Sequence, residues 1–312
     1  MLTFDQASDF ADGLAVVRQG DRTLYIDTTG HPVLEVNPIL DGASAFSDDR
    51  ALVRVNDVYG YMDRSGAIVV DPQYASAAPF SEGLAAIRPG NRYGYINPAG
   101  EWIIEPQFTL GQSFRDGMAA VKVESGTGYI TPEGKWQIAP QFEDGRGFSE
   151  ERAAVRLNQR WGYIDPSGAV VIEPTLDGAF SFSEQRARFR QGSQWGFLDP
   201  SGNQAIAPRF DFASDFSEGL AAVLVGRQWG YVNAVGDLVV DPQFDHAADF
   251  SEGLAAVKVD GVYGYITPCG EGAIAPQFAN VGPFSNGLAW VQVGAQRRYI
   301  TQSGEYLHQE LD

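Results

Sequence analysis

Phe216-Ser217-Glu218-Gly219-Leu220-Ala221-Ala222-Val223 recurs unchanged at Phe250 to Val257, 34 residues further on. Near-copies begin at Phe10, Phe46, Phe80, Phe114, Phe148, Phe182 and Phe284, so the chain is one short unit repeated nine times. The interval is 34 residues throughout except for the first unit, which has 36, its two extra residues lying between Gly30 and Pro38. A repeated unit this short cannot bury its own apolar face. It folds by stacking on its neighbours, and the array usually presents a long surface and not one deep pocket.

With the opening Phe as position 0, position 5 is Ala in all nine units and position 7 is β-branched or Phe. That alternation reads as a strand with one buried face. An invariant Ala implies that a backbone or an aromatic ring lies close against it. A polar turn such as Asn158-Gln159-Arg160 follows, and then a second strand, Trp161-Gly162-Tyr163-Ile164-Asp165 in the fifth unit. Position 15 is aromatic in every unit, and Gly at position 14 marks a bulge or close packing. The two strands form an antiparallel hairpin. A turn such as Asp165-Pro166-Ser167-Gly168 fits a type I pattern closed by a left-handed Gly. A short third strand, such as Trp102-Ile103-Ile104-Glu105, runs up to Pro106-Gln107-Phe108, where Pro terminates it or sits on an edge. No useful length has helical periodicity, so the chain is predicted all-β.

The combination of Phe-Ser-Glu-Gly-Leu-Ala, Trp/Tyr-Gly-Tyr-Ile-Asp, a Gly turn and Pro-Gln-Phe resembles the bacterial WG repeat, also called the KWG repeat. The likeness runs over essentially all of residues 1–312, one array from end to end. The first and last units depart from it: Leu24 and Arg298 stand for the motif Gly, and Thr23 and Arg297 for the aromatic before it. The resemblance implies a β-rich repeat region with no common activity and no catalytic residues to carry over.

Two architectures fit. In an open superhelical solenoid of β-hairpins the end units are atypical caps, as the loss of Gly and aromatic at both ends suggests. In a closed β-propeller each unit is a blade, and Phe4, equivalent to the Pro-Gln-Phe aromatic, completes a last unit that ends His308-Gln309-Glu310-Leu311-Asp312 without one. Nine blades would exceed the usual four to eight. The expectation is the open array, with the propeller as the alternative.

There are 40 acidic and 22 basic residues, a formal charge of −18. That balance excludes general nucleic-acid binding, which needs a basic surface. No apolar run reaches the length of a membrane span, and Met-Leu-Thr-Phe-Asp-Gln has no signal-peptide character. A cytoplasmic location follows if Met1 is the native start, and a periplasmic or extracellular one if a signal peptide was removed. Cys269 is the only cysteine, in the turn Pro268-Cys269-Gly270, so no internal disulfide can form. His31, His246 and His308 fall at unrelated repeat positions and give no metal spacing. No catalytic constellation, cofactor motif or metal site emerges.

Two charged columns run through the repeats. Position 2 is acidic in eight units, from Asp12 to Glu252, and is read as a carboxylate accepting N–H bonds within its own turn. Position 8 is basic in seven: Arg18, Arg54, Arg88, Lys122, Arg156, Arg190 and Lys258. Arg also occupies position 4 at Arg50, Arg152 and Arg186, and position 6 at Arg188. Positions 4, 6 and 8 share a strand face, so Arg152, Arg156, Arg186, Arg188 and Arg190 are the candidate patch for an anionic partner, against the alternative of pairing with Glu150, Glu151 and Glu184. Trp161 and Trp195 are candidate aromatic contacts, on a face that the hairpin register decides. The function expected is a non-catalytic scaffold for a protein partner with an acidic surface, acting as a monomer without nucleic acid or membrane insertion. The alternatives are a carbohydrate-binding or cell-envelope surface of Trp and Tyr rings, and a glycosidase with paired carboxylates.

Overall fold

The computed structural model describes residues 2–37 and 40–308. Met1, Pro38, Ile39 and residues 309–312, which entered the readings of the chain start, the insertion and the C-terminal tail, lie outside the described residues. The chain divides into two compact units, one of residues 46–209 and the other of residues 1–45 with 210–312. Among the described residues there is no helix. Among the described residues there are also eight four-stranded antiparallel sheets and a ninth sheet of two strands.

The third repeat shows how one sheet is made. Its strands are Ser76–Ala77, Ala85–Arg88, Tyr93–Ile96 and Trp102–Phe108, adjacent in chain order. The first of them, a two-residue strand ahead of the opening Phe, was not foreseen. The last continues through Pro106 to Phe108, so Pro lies inside an edge strand and does not end it. An edge position asks no donor of Pro and blunts pairing with another chain.

The opening motif is a turn. Ser81 and Leu84 exchange both backbone hydrogen bonds, at 2.9 and 3.2 Å, around Glu82 (φ 53°) and Gly83 (φ 77°). Two left-handed residues make the type I′ loop that suits the strand twist. Holding a Glu there costs about 1 kcal/mol, and its side chain shows what offsets that cost. The Glu82 carboxylate accepts the N–H of Gly117 in the next repeat's turn at 3.0 Å. Asp48, Glu218 and Glu252 do the same for Gly83, Gly253 and Gly287, each at 2.8 Å. The acidic column therefore binds backbone N–H groups as expected, but those of the following repeat and not its own.

Two more bonds join consecutive repeats. Ser81 Oγ donates to the Phe114 carbonyl at 2.8 Å, and the Tyr95 hydroxyl donates to the Gln112 carbonyl at 2.8 Å. Between them lies the core: Leu84, Ala86, Tyr95, Ile104 and Phe108 of one repeat against Phe114, Ala119, Val121 and Ile130 of the next. The invariant Ala and the position 7 residue thus face the preceding repeat, and the position 15 ring faces the following one. Each buried aromatic contributes about 1.5–3 kcal/mol.

The motif Gly is set by the fourth strand. Opposite Gly94 the register slips between the pairs Tyr93–Phe108 and Tyr95–Ile104, and the bulged backbone crosses the glycine. A Cβ at Gly94 would stand 2.5 Å from the Ile104 oxygen and 2.8 Å from the Pro106 nitrogen. In the first repeat Leu24 pairs with Glu35 and Tyr25 with Leu34 in step, so no slip crosses Leu24. The loss of Gly there marks the absence of that bulge and not a cap.

The open array is corrected to the β-propeller class by what the ends of the chain do. Within the unit that contains both, Ser285 Oγ donates to the Phe10 carbonyl at 2.7 Å, Gly13 N–H donates to Asn286 Oδ1 at 3.1 Å, and the Tyr299 hydroxyl donates to the Ser8 carbonyl at 2.7 Å. These are the same three bonds that link consecutive repeats, with the ninth treating the first as its successor. Phe4 exchanges backbone bonds with Arg297 at 2.9 and 2.7 Å, and Tyr306 bridges to Ile300, so both ends of the chain extend the two-stranded ninth sheet. The Phe4 ring supplies the aromatic that the last repeat lacks, packing with Leu288 and Tyr299 against Phe10, Ala15 and Val17.

Two outcomes follow. Phe4→Ala should lower stability by about 3–5 kcal/mol, read by denaturant unfolding, although Phe4 lies in a terminal segment. An unchanged midpoint would mean that the segment is not docked. Gly196→Val should cost at least about 1–3 kcal/mol, because a Cβ there meets the Ile206 oxygen at 2.5 Å. An unaltered unfolding curve would show that the bulged strand yields.

Candidate functional site

The hairpin register fixes which residues share a face. Arg156 lies directly opposite Trp161, and Arg190 opposite Trp195. Position 8 therefore sits beside position 13, on the face that carries the position 15 ring. The five candidate arginines do not form one continuous patch. Arg152 and Arg156 are on the face of the fifth sheet that packs on Ala187, Phe189 and Leu198 of the sixth, whereas Arg186, Arg188 and Arg190 are on the opposite face of the sixth.

Among the described residues Arg152 and Arg156 form no ion pair with Glu150 or Glu151. Arg156 Nε stands 3.7 Å from Glu143. Arg152 and Arg186 cap their own turns through the Glu151 and Gln185 carbonyls, at 2.9 and 2.8 Å. Glu150 takes the Gln185 N–H instead, at 2.9 Å. Asp165 and Asp199 are held below the ordinary carboxylate range, chiefly by hydrogen bonds from the Ser167 hydroxyl and the Asn203 side chain, with smaller help from the charges of Arg152 and Arg186.

Phe180, which the sequence reading did not single out, joins Arg188 of the second set to a further arginine, Arg146. Arg146 lies over both the Trp161 ring (5.3 Å) and the Phe180 ring (4.5 Å). Arg188 lies over Phe180 (4.3 Å) and Trp195 (5.7 Å). The result is an alternating stack, Trp161–Arg146–Phe180–Arg188–Trp195, in which every member is half-buried. Cation–π contacts of this kind are each worth about 0.5–2 kcal/mol. Arg146 is also tethered by its Nε to the Ala179 carbonyl at 3.0 Å. Arg146 and Phe180 occupy position −2, where the other repeats have Ser8, Ser44, Ala78, Gln112, Ser214, Ala248 and Gly282, all small but Gln112. The available signal was that departure from small residues, at a position outside the most regular part of the unit.

Next to the stack is a cleft of about 420 Å³ lined by Gln112, Ser113, Arg115, Arg146, Gly147 and Ser181. In the other unit His246 sits between the Trp229 and Tyr263 rings, at 5.8 and 6.0 Å, with its pKa lowered by burial and by Lys258. It lines a second cavity with Asp249, Tyr263 and Asn280. Cys269 is exposed. Among the described residues no group of three or more His, Cys, Asp or Glu could hold a metal ion, and no helix is long and apolar enough to cross a membrane.

The position 15 rings are core. Tyr25, Tyr61, Tyr95, Tyr129, Tyr163, Phe197, Tyr231, Tyr265 and Tyr299 are at most 1% exposed, which removes them from any sugar-binding surface.

These observations define the class, a β-propeller repeat protein. The chain belongs to the family of the WG containing repeat, which matches residues 2–22, 25–59, 59–93, 93–125, 128–161, 161–195, 195–227, 229–263 and 263–295. No curated protein sequence matches the chain. Among solved structures, a eukaryotic initiation factor is similar over 94% of each chain, with a TM-score of 0.68 at 10% identity, a likeness of fold alone. The dihydro-heme d1 dehydrogenase NirN in complex with DHE aligns over 84% of this chain and 72% of its own, with a TM-score of 0.49 and 14% identity, too loosely to support an argument.

Burial pushes the phenol pKa well up at Tyr25, Tyr61, Tyr95, Tyr129, Tyr231, Tyr265 and Tyr299. A pKa raised by folding stabilises the native state fully below the unfolded value of about 10, and that contribution is lost as the pH rises above it. These phenols should therefore ionise together with unfolding. In an absorbance titration at 295 nm followed alongside circular dichroism, the main step should coincide with loss of β signal. Complete phenol ionisation in a folded protein would contradict the burial.

Proposed function

We propose that this protein is a binding scaffold, and that the arginine-rich faces of the fifth and sixth repeats take the acidic surface of a protein partner. The observation that carries the reading is the stack of Arg146 and Arg188 between Trp161, Phe180 and Trp195, flanked by Arg152, Arg156, Arg186 and Arg190, on a chain of net charge −18. Guanidinium groups seated over aromatic rings offer forked N–H donors, the geometry that carboxylates accept. A basic region on an acidic molecule also steers a partner to one place and orients it. Half-buried Trp and Arg are the residue types on which interface energy concentrates. The repeat fold supplies a rigid platform and asks for no chemistry.

The test uses a glutamate-rich peptide as the acidic probe, in fluorescence anisotropy over a salt series. The parent protein should bind with an affinity that falls steeply as salt rises. Arg152→Ser, Arg186→Ser and Arg190→Ser combined should weaken binding at least tenfold, with little change in the unfolding midpoint. These three leave the ring stack intact. Unaltered binding by the folded triple variant would overturn the assignment. Unfolding of the variant would make the arginines structural members of their turns and overturn it equally.

A further inference from the structure

The cleft beside Arg146 borders the arginine faces just described, sharing Arg146 with their ring stack, and its chemistry is one-sided. Its lining groups are Gln112, Ser113, Arg115, Arg146, Gly147 and Ser181: two guanidiniums, two hydroxyls and an amide, with no carboxylate. Among the described residues neither Arg115 nor Arg146 has an acidic partner.

The local sequence departs from the repeat to make this space. Position 1 is Ser in seven of the nine units, and Arg115 replaces it in the fourth. In the second, third, fifth, seventh, eighth and ninth repeats that Ser donates to the next opening Phe carbonyl, at 2.7–2.8 Å. Arg115 forgoes this seam bond, worth about 1 kcal/mol, and places a cation at the cleft instead. Gly147 lies on the cleft wall, where a Cβ would come into ordinary contact with Arg115 Cδ at 3.7 Å and Gln112 Oε1 at 3.8 Å. The walls are fixed from behind: Gln112 Nε2 donates to the Gly145 carbonyl at 2.9 Å, and Arg146 Nε to the Ala179 carbonyl at 3.0 Å. Arg146 is further clamped between Trp161 and Phe180.

We propose that this cleft is a binding site for a phosphoryl-type oxyanion, a tetrahedral dianion such as inorganic phosphate or the phosphate of a monoester. Two unpaired guanidiniums match a charge of −2. Hydroxyl donors on Ser113 and Ser181 add directions that a tetrahedral oxygen set can use and a planar carboxylate cannot. Preorganisation of Gln112 and Arg146 lowers the entropy lost on binding. A sequence that gives up a seam bond to set Arg115 at the cleft breaks its own rule where a ligand would compensate.

The test is isothermal titration of the full chain with inorganic phosphate, phenyl phosphate and succinate. Phosphate and phenyl phosphate should both bind, and succinate at least tenfold more weakly. Arg115→Ser restores the repeat residue, so the variant should fold with equal or greater stability and lose phosphate binding tenfold or more. Arg146→Gln should lose it as well. Binding of phenyl phosphate without phosphate would assign the ring and not the oxyanion to the cleft, and would overturn the proposal. So would equal binding of succinate, retention of binding in Arg115→Ser, or no binding by the parent. The acidic-peptide reading stands apart, because Arg115→Ser leaves Arg152, Arg186 and Arg190 in place and should not change peptide affinity.

Discussion

The fold depends on the seam between one repeat and the next. A unit of about 34 residues is a thin sheet with two apolar faces and no interior of its own. Stability comes from the layer between sheets, where the position 15 ring and the fourth-strand Ile and Phe of one unit meet the opening Phe, Ala and Val of the next. Three hydrogen bonds fix the spacing of that layer: from the Tyr hydroxyl, from the Ser hydroxyl and to the turn carboxylate. All involve backbone groups of the following repeat, so they hold for any unit that keeps the turn. An unpaired group in such a layer would cost about 1–3 kcal/mol. The second, third, fifth, seventh and eighth units accordingly keep Tyr, Ser and the acid together.

Much of this was legible from residues alone. The strict interval, the invariant Ala and the aromatic at position 15 specified an all-β repeat, its hairpin and the buried face of the first hairpin strand, while the facing of the second-strand aromatics stayed open. The Gly at position 14 was identified as a close-packing residue, and the bulged backbone opposite Gly94 gives the cause. The choice between an open array and a propeller was read wrongly because Leu24 and Arg298 were taken for caps. Sequence periodicity reports the identity of a residue and not the strand that crosses it. Where the fourth strand runs in step with its neighbour, as beside Leu24, the glycine is no longer required. Phe4 was recognised as the missing aromatic of the last repeat, and that clue was the better guide.

The candidate site was less legible. Five arginines share a face in a strand diagram, yet the sixth sheet stands between two sets of them. Intersheet packing decides that arrangement, and strand periodicity alone does not contain it. Arg146, Phe180 and Arg115 drew no notice because they lie at positions −2 and 1, flanking the motif. They become informative only once the seam is understood, since each replaces a small or seam-forming residue. In an array this regular, departures from the repeat are where binding chemistry is to be sought.

The central claim is that the ninth repeat engages the first as the third engages the fourth and the eighth the ninth. Native-state hydrogen exchange of individual amides tests it most directly. The N–H of Gly13 is bonded across this junction at 3.1 Å, and those of Phe4 and Arg297, at 2.9 and 2.7 Å, tie the N-terminal segment into the ninth sheet. They should exchange slowly, with opening free energies comparable to those of Gly83 and Gly117 at interior seams. Exchange of Phe4 and Gly13 at the rate of an unstructured chain, while the interior amides stay protected, would contradict the account and return the molecule to an open array.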